Sequence, residues 1–468
     1  MSQPIPFDNS YARLPGHMFT SLQPTPVKAP EIIATNADLA AMLGIDLNAM
    51  DAAEVFGGNS VPDGAAPLAQ AYAGHQFGNW NPQLGDGRAI LLGEVVGSDG
   101  IRRDIQLKGA GPTPYSRNGD GRAWLGPVMR EYLVSEAMHA MGVPTTRALA
   151  AVSTGEPVFR EDALPGAIIT RVAQSHIRVG TFQFFAARGD MGALQALTDH
   201  VIARHYPDAT GPADLLDLVI GRYAQLIAKW MGLGFIHGVM NTDNVSIAGE
   251  TIDYGPCAFI DDFHPDSVFS AIDQFGRYAY SNQPGIGAWN MAQFATALIP
   301  LMDDREKAIT DFTAAVHRFP PLYEAAWLST FGAKLGLPDP TPDDAQLITD
   351  LLDLMAKDSA DFTNTFANLG SENARDQFLD RDAFDVWAQR WQNRALDPAL
   401  MAASNPKIIP RNHRVEEVIS AGRNGDLAPF HTLLDAVTQP FSDLTDDTAP
   451  YARPPTTDER VTRTFCGT

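Results

Sequence analysis

Patterns typical of strands and patterns typical of helices fall in different parts of this chain. In the first third, short apolar runs alternate with glycine turns, and residues 89–108 predict a β-hairpin with its turn at 97–100. From about residue 190, apolar residues recur at every third or fourth position, which predicts helices, first over 191–205 and 214–231. The sequence therefore predicts an α+β protein with a strand-rich N-terminal lobe and an enlarged helical C-terminal lobe.

These patterns divide the chain into three predicted regions. The N-terminal lobe covers residues 1–175, the helical C-terminal lobe covers 176–442, and a proline-bearing tail covers 443–468. We expect the tail to be extended or mobile, because it has few large apolar residues. Further strands are predicted at 148–159 and 167–172, and further helices at 131–141, 305–316, 344–355, 381–396 and 415–419.

Composition argues against several classes of function. The chain has 34 Lys and Arg against 56 Asp and Glu, a net charge of -22, whereas nucleic-acid binding needs a concentrated basic surface. Its longest apolar runs are far shorter than the ~20 residues of a membrane helix, and its N-terminus lacks the pattern of a secretory signal. Two cysteines without a Cys-x-x-Cys pair fit a reducing compartment. We expect a cytoplasmic protein with no nucleic-acid or membrane partner.

One segment of the predicted C-terminal lobe carries the sharpest chemical pattern. It reads Ile-His-Gly-Val-Met-Asn-Thr-Asp-Asn over 236–244, and Asp-Tyr-Gly follows at 253–255. The catalytic loop of protein kinases reads His-Arg-Asp-Leu-x-x-x-Asn and is followed by Asp-Phe-Gly. His237 and Asn244 match this pattern, but Val239 stands where kinases have their catalytic aspartate.

The polar residues of this segment suit a metal ion. Asn244 and Asp253, which we expect on adjoining strands, offer the hard oxygen ligands that Mg²⁺ prefers. Because Val239 cannot accept a proton, Asp243 is the nearby carboxylate that could replace the missing base. The alternative interpretation is a pair of Asp and Asn turns that close a hairpin, and His237 is expected to be structural.

A glycine turn and a lysine in the N-terminal lobe suit a phosphate. The turn reads Leu-Gly-Asp-Gly-Arg over 84–88, and Lys108 lies on the predicted neighbouring strand. In kinases a helix glutamate holds this lysine toward the nucleotide, and Glu131 is the better candidate, with Glu136 as its rival. The isolated motif is explained more simply by a hairpin turn, a surface lysine and a solvated glutamate in a helix first turn.

Other groups suit a polyphosphate. Asp120 and Gly121 form a predicted turn, and Arg171 and Arg178 flank the predicted junction of the lobes. The planar fork of arginine donates two hydrogen bonds at once to phosphate oxygens. Taken singly, each arginine is explained as well by a surface salt bridge that contributes little.

Several segments, in the same order along nearly the whole chain, resemble the selenoprotein O family. They are Asn-Ser-Tyr-Ala-Arg-Leu-Pro at 9–15, Tyr-Ala-Gly-His-Gln-Phe-Gly at 72–78, Gln-Leu-Gly-Asp-Gly-Arg at 83–88, Gln-Leu-Lys-Gly-Ala-Gly-Pro-Thr-Pro-Tyr-Ser-Arg at 106–117, Asp-Gly-Arg at 120–122, Arg-Glu-Tyr-Leu at 130–133, His-Gly-Val-Met-Asn-Thr-Asp-Asn at 237–244, Asp-Tyr-Gly-Pro at 253–256 and Asn-Pro-Lys at 405–407.

The resemblance implies a protein-kinase-like two-lobed fold that binds ATP in a flipped orientation, with the α-phosphate toward the acceptor. Members of the family transfer AMP to Ser, Thr or Tyr hydroxyls of proteins and release pyrophosphate. The resemblance therefore implies ATP as co-substrate, protein acceptors as partners, and Mg²⁺ or Mn²⁺ as cofactor. The missing base at Val239 is consistent with a changed geometry of transfer.

By motif match, the resemblance also assigns roles to residues. Asp243 would accept the proton, Asn244 and Asp253 would bind the metal, and Glu131 would support Lys108. The nucleotide would be held by Gly85, Gly87, Arg88, Lys108, Asp120, Gly121, Arg171, Arg178 and Asp253.

Three other functions are weighed against this one. A kinase of the same fold that transfers the γ-phosphate is disfavoured by Val239, and a nucleotide-binding scaffold without activity is disfavoured by the retained Lys108, Asn244 and Asp253. Transfer of another nucleotide, such as UMP with Mn²⁺, stays open, because little in the sequence fixes the base.

The two cysteines raise the prospect of redox control. Vertebrate members of the family carry a selenocysteine near the C-terminus, and this chain has Cys466 in the similar place. Cys257 follows the predicted metal ligand Asp253 closely. A disulfide between these two thiols would hold the tail across the cleft and restrict protein acceptors. The alternative is that Cys257 is a small buried apolar residue and Cys466 a free thiol of the tail.

Overall fold

The computed structural model describes residues 5–465. Its strands are β1 (Phe19–Ser21), β2 (Glu31–Thr35), β3 (Leu68–Gln70), β4 (Gly74–Gln76), β5 (Asn79–Asn81), β6 (Ala89–Val96), β7 (Arg102–Lys108), β8 (Ala123–Trp124), β9 (Arg147–Phe159), β10 (Ala163–Ala173), β11 (Phe235–Ile236) and β12 (Ala258–Phe259).

Most of the helices follow the sheet, as the sequence predicts. The helices are α1 (Ala37–Leu43), α2 (Ala52–Phe56), α3 (Leu125–Ala140), α4 (Val179–Ala187), α5 (Met191–His205), α6 (Pro212–Gly232), α7 (Gln283–Leu298), α8 (Arg305–Val316), α9 (Phe319–Lys334), α10 (Pro342–Asp358), α11 (Phe362–Ala367), α12 (Glu372–Arg375), α13 (Arg381–Gln392), α14 (Pro398–Ser404), α15 (Asn412–Arg423), α16 (Ala428–Val437) and α17 (Ala449–Ala452).

An antiparallel sheet dominates the first part of the chain. Its strand order is β1-β3-β6-β7-β10-β9-β2, and β8 also pairs with β10. The predicted hairpin of β6 and β7 is confirmed, with Ala89 opposite Lys108. Strand β10 pairs with β7 so that Arg171 stands opposite Gln106, which brings Arg171 and Lys108 onto neighbouring strands. The fold is thus a mixed α/β structure, as predicted.

Alternating side chains of the sheet pack into two different cores. On β10, Ile168 belongs to the core that includes α1 and α2, whereas its neighbour Ile169 belongs to the core that includes α3. This alternation follows from the two-residue period of a strand. Helices α15 and α16 return from the C-terminal part of the chain to pack against α3. The sheet is therefore covered on both faces.

Helix α3 begins earlier than predicted, and this changes the position of Glu131. The sequence pattern placed the helix start at Glu131, but α3 starts at Leu125 and includes Pro127 in its first turn. Proline is tolerated there because the first-turn N–H groups lack partners within the helix. Glu131 consequently lies inside the helix and is buried, so the interpretation as a solvated first-turn glutamate is wrong. The helix ends before Gly142, as expected.

The helical part forms the largest apolar core. Helices α5 and α8 have the predicted bounds, whereas the helix predicted over 381–396 ends at Gln392. It ends there because the chain must turn before Asp397, whose side chain accepts hydrogen bonds from the first N–H groups of α14. None of the helices within residues 5–465 is long and apolar enough to cross a membrane.

The sheet and the helical part meet near the predicted boundary at residue 175. Strand β10 ends at Ala173 and α4 begins at Val179, although the later contacts of α15 and α16 with α3 mean that the C-terminal helices also touch the sheet unit. The assignment of lobes to 1–175 and 176–442 stays a prediction. Residues 443–465 of the predicted tail are not wholly extended, since they include the short helix α17, and the end of this segment is packed, because Thr464 is buried and bridges to Ser270.

Candidate active site

A cavity of about 500 Å³ lies where the sheet, α3 and the 236–256 loops meet. A volume of this size is typical of small-molecule sites. The residues that the sequence assigned to nucleotide, metal and proton transfer all line it. They are Gly85, Gly87, Arg88, Lys108, Asp120, Gly121, Glu131, Arg171, Arg178, Asp243, Asn244 and Asp253.

Lys108 is held by the helix glutamate that the sequence favoured. Its Nζ lies 2.6 Å from Oε2 of Glu131, whose other oxygen accepts from Nη1 of Arg171 at 3.2 Å. Burial alone would raise the pKa of Glu131, but the charges of Lys108 and Arg171 outweigh it and hold the pKa below its usual value. The rival, Glu136, instead binds Arg147 through two hydrogen bonds of 2.8 and 2.7 Å.

Three cations converge on Asp253. Its Oδ1 lies 2.9 Å from Lys108 Nζ and 2.6 Å from Arg171 Nη1, and its Oδ2 lies 2.7 Å from Arg178 Nη1. Burial opposes the ionised form, but the charges of Lys108, Arg171 and Arg178 hold the pKa of Asp253 well below its usual range. Asp253 therefore carries a full negative charge at neutral pH, at the centre of a concentrated positive cluster.

Both arginines of this cluster are buried, so their interpretation as surface salt bridges is wrong. Arg171 and Arg178 are 1% and 3% exposed. Nη2 of Arg171 donates to Gln106 Oε1 at 2.6 Å, and the Arg178 guanidinium stacks over the Tyr72 ring at 4.6 Å. Buried guanidinium groups with fixed partners are pre-organised for an anion, because little side-chain freedom is lost when it binds.

Close packing requires glycine at two positions of the predicted turns. A Cβ on Gly85 would lie 2.4 Å from the Tyr115 ring, and Gly85 has φ of 125°. Gly121, with φ of 66°, would place a Cβ 2.1 Å from the backbone of Gly111. These turns are thus pressed against the 111–117 segment at the cavity edge. Beside them, Asp120 is paired with Arg160 at 2.8 Å.

The kinase-like loop is irregular rather than strand-like. Asn244 lies in a 3-10 turn, Thr242–Asn244, and Asp253 lies in a loop with φ of 65°, so the expectation that adjoining strands carry them is wrong. Strands β11 and β12 are too short to reach them. His237 is buried and its Nε2 donates to the Ile252 carbonyl at 2.9 Å, which is the structural role expected of it.

Asp243 is a buried carboxylate with one oxygen that accepts a hydrogen bond and one that has no partner in the described part of the chain. Its Oδ2 accepts from Gln76 Nε2 at 3.0 Å, whereas Oδ1 has no hydrogen-bond partner within residues 5–465. Burial raises the pKa of Asp243 to about 6. Gly74 lies against this carboxylate, because a Cβ there would come within 2.6 Å of Oδ1. A carboxyl with a pKa near neutrality and a free oxygen is suited to accept a proton.

The family model described as protein adenylyltransferase SelO matches residues 3–438. The chain belongs to the SelO family. This confirms the resemblance seen in the sequence motifs.

Curated relatives extend over the entire chain. A protein nucleotidyltransferase YdiU of Ruegeria pomeroyi is 62% identical over 473 residues, and one of Roseobacter denitrificans is 63% identical over 475 residues. The protein of the same name from Methylorubrum extorquens is 56% identical over 499 residues. Each match covers 100% of both chains. As a member of this family, the chain is a nucleotidyltransferase.

The SelO-family site suits a divalent metal that is completed by substrate. Within residues 5–465, no group of three or more His, Cys, Asp or Glu is arranged to hold a metal. Nδ2 of Asn244 donates to the Val239 carbonyl at 2.9 Å, which leaves Oδ1 for another ligand, and Asp253 adds a carboxylate in the same cavity. Mg²⁺ is commonly bound by one or two protein oxygens together with phosphates and water, so these residues fit it.

Sequence reasoning missed Asp86, which lies between the two glycines of the first turn. Asp86 is 2% exposed, and its Oδ2 accepts from the Gln70 N–H at 3.0 Å. Its Oδ1 lies 3.9 Å from Arg178 Nη2, and burial raises the pKa of Asp86 to about 6. Simple charge matching does not favour a carboxylate in a turn that the sequence predicts to bind phosphate, although its position between Gly85 and Gly87 could have drawn attention to it.

The structure describes one of the two cysteines of the predicted redox pair. Cys257 is buried at 1% exposure, and Cys466 lies outside the described residues. Thr464 Oγ1 donates a hydrogen bond to the carbonyl of Pro256, directly before Cys257. The tail thus reaches the segment that carries Cys257.

Proposed function

We propose that this SelO-family protein has a kinase-like two-lobed fold and transfers AMP from ATP to Ser, Thr or Tyr hydroxyls of proteins. The observation that supports this most is the convergence of three buried or part-buried cations on Asp253, in the cavity that also holds Asp243. Such a cluster suits a polyphosphate, and the valine at position 239 argues against the base of a γ-phosphate kinase. Family membership makes nucleotidyl transfer the expected chemistry.

In this proposal the cation cluster binds the β- and γ-phosphates of ATP, which leave as pyrophosphate. Lys108, Arg171 and Arg178 would transfer their hydrogen bonds from Asp253 to the β- and γ-phosphates. Charge that develops on pyrophosphate during bond cleavage is then stabilised by groups that are already in place. Glu131 would keep Lys108 and Arg171 directed into the cavity.

The remaining nucleotide contacts would come from the turns at the cavity edge. The close packing of Gly85 and Gly121 brings main-chain groups to the cavity edge, while Arg88 and Asp120 offer side chains of opposite charge. Asn244 and Asp253 would hold Mg²⁺ or Mn²⁺ with phosphate oxygens. When bound, such an ion neutralises phosphate charge and fixes the orientation of the triphosphate.

Asp243 would act as the proton acceptor. The acceptor hydroxyl oxygen forms a bond to the α-phosphorus, and the bond from this phosphorus to the bridging oxygen of pyrophosphate breaks. The hydroxyl proton passes to a carboxylate oxygen of Asp243, and Gln76 holds the other oxygen in place. Because the pKa of Asp243 is raised to about 6, its basicity is greater than that of an ordinary aspartate.

The products on synthetic peptides test this proposal. Peptides that carry a single Ser, Thr or Tyr are incubated with the protein, ATP and Mg²⁺ or Mn²⁺, and their added mass is measured. We expect the mass of AMP on the peptide and pyrophosphate in solution, with UTP as a parallel arm that tests base selectivity. The Asp253→Ala variant is the negative control. Addition of a single phosphate would contradict the proposal and support the γ-phosphate kinase.

A further inference from the structure

A second cavity, of about 650 Å³, adjoins the active-site cavity. Phe77 and Ile272 line both cavities and form the wall between them. Phe77 belongs to the turn between β4 and β5, and Ile272 belongs to the loop that precedes α7. An acceptor hydroxyl that approaches Asp243 from this side must therefore pass the mouth of the second cavity.

The rim of the second cavity is apolar and exposed. Phe275 is 97% exposed and Ile272 is 56% exposed, and both line the second cavity. Large apolar side chains grouped in this way are unfavourable in water, and they commonly mark a surface for a partner. Their place beside the active-site cavity distinguishes them from an exposed leucine such as Leu379, which is 85% exposed and lines neither cavity.

The walls of the second cavity are tied to the catalytic loop. Phe77 has φ of 51°, which residues other than glycine rarely adopt. Its N–H donates to Asn241 Oδ1 at 3.0 Å. The Tyr278 hydroxyl donates to the same oxygen at 2.6 Å, and the Phe77 and Tyr278 rings are 5.0 Å apart. Asn241 lies two residues before Asp243, so the cavity wall and the proposed base are positioned together.

An arginine provides a charge beside this apolar rim. The Arg277 guanidinium stacks over the Trp289 ring at 4.9 Å, and the residue lines the second cavity. Within residues 5–465 it makes no ion pair, because the carboxylate of Asp273 accepts instead from the main-chain N–H groups of Arg277 and Tyr278. In a chain with a net charge of -22, this arginine attracts a carboxylate supplied by a partner.

We propose that the second cavity binds the acceptor protein next to the hydroxyl that is modified. The occupant is an extended segment with a large apolar side chain in the cavity and an acidic side chain against Arg277. In an extended segment, residues two positions apart lie about 7 Å apart on the same face, which suits two adjoining cavities. The inference rests on the proposed function and adds the class of acceptor sequence that the site selects.

Peptide pairs with matched variants test this inference. Each peptide has one tyrosine, and the residues near it are either Leu with Glu or, in the comparison peptides, Ala with Glu and Leu with Lys. The rate of AMP transfer is measured with α-labelled ATP. For wild type we expect the Leu and Glu peptide to have the highest kcat/KM.

The variants separate docking from chemistry. Phe275→Ala should raise KM for the Leu and Glu peptide about 10- to 100-fold, with kcat little changed, because an apolar side chain loses its partner surface. Leu379→Ala removes another highly exposed apolar side chain, one that lines neither cavity, and should behave as wild type. Arg277→Glu should reverse the preference, so that the Leu and Lys peptide becomes the better acceptor.

Other outcomes would overturn the inference. It is wrong if Phe275→Ala and Leu379→Ala give equal kinetics, or if Arg277→Glu slows all peptides alike. It is also wrong if light scattering finds a wild-type dimer that Phe275→Ala converts to a monomer, because the surface is then an interface between copies. Absence of α-label on every peptide, with wild type, would instead overturn the proposed function and the inference with it.

Discussion

Replacing Glu131 by glutamine tests the part of the site that holds the cation cluster. The substitution keeps the shape of the side chain but removes the charge that Lys108 and Arg171 share. Glu136→Gln is a matched control, because Glu136 lies on the same helix, its side chain is also 5% exposed, and it is paired with Arg147.

The expected loss of stability is similar for the two variants. Removing one partner of a buried ion pair commonly costs ~3–5 kcal/mol, because the remaining charge is left uncompensated. Asp253 still neutralises part of the charge on Lys108 and Arg171 in Glu131→Gln, and the glutamine oxygen still accepts a hydrogen bond. We therefore expect about 3 kcal/mol for Glu131→Gln and a comparable value for Glu136→Gln in denaturant unfolding.

The expected loss of activity differs. Glu131→Gln releases Lys108 from its position, and a displacement of about 1 Å at a reacting centre commonly costs ~10²-fold in rate. Glu136→Gln leaves the contacts of Lys108 unchanged, so its AMP transfer should stay near that of wild type. ATP affinity is measured by calorimetry and transfer by incorporation of α-label, below the unfolding range of each variant. Equal losses of transfer in the two variants would refute this account of Glu131.

Three further predictions concern roles, pH and redox state. Asp253→Ala should abolish metal-dependent ATP binding, whereas Asp243→Ala should keep ATP affinity and lower turnover by ~10²–10⁴-fold; equal loss of affinity would contradict this division of roles. Burial lowers the pKa of His176 to about 4, below the 6.5 of an ordinary histidine, so protonation of this residue favours the unfolded state. The free energy of unfolding should therefore fall by about 3 kcal/mol as the pH drops from about 6.5 to about 4. His176→Gln should weaken this pH dependence of the free energy of unfolding, and an unchanged dependence would refute the role of His176. If a disulfide between Cys466 and Cys257 holds the tail, the rate of AMP transfer should depend on oxidant in wild type but not in Cys466→Ala. Rates that do not change with oxidant in either protein would contradict the disulfide.

Local patterns in the sequence located most of the fold. The β6–β7 hairpin and helices α5 and α8 are as predicted, because a two-residue or 3.6-residue period reports directly on which face is buried. The start of α3 was missed because Pro127 usually indicates a break, whereas the first turn tolerates it. The return of α15 to α3 depends on contacts between residues far apart in sequence, which no local pattern reports.

The site was predictable where a motif fixes a residue and unpredictable where packing does. Motif spacing identified Lys108 and Asp253, but their direct contact requires the loop that places Asp253 at positive φ. The choice between Glu131 and Glu136 needed the direction in which each side chain leaves α3. The role of Gly74 against Asp243 could not be predicted, because it depends on how closely two distant segments approach.

The position of a radioactive label tests the central claim most directly. The protein is incubated with ATP and Mg²⁺ in two parallel reactions, one with label in the α-phosphate and one with label in the γ-phosphate, and protein-bound label is counted. Transfer of AMP, with ATP in the flipped orientation that the family resemblance implies, predicts metal-dependent labelling from the α-phosphate, lost in Asp253→Ala, and none from the γ-phosphate. Equal or greater labelling from the γ-phosphate would contradict the account and identify the protein as a kinase.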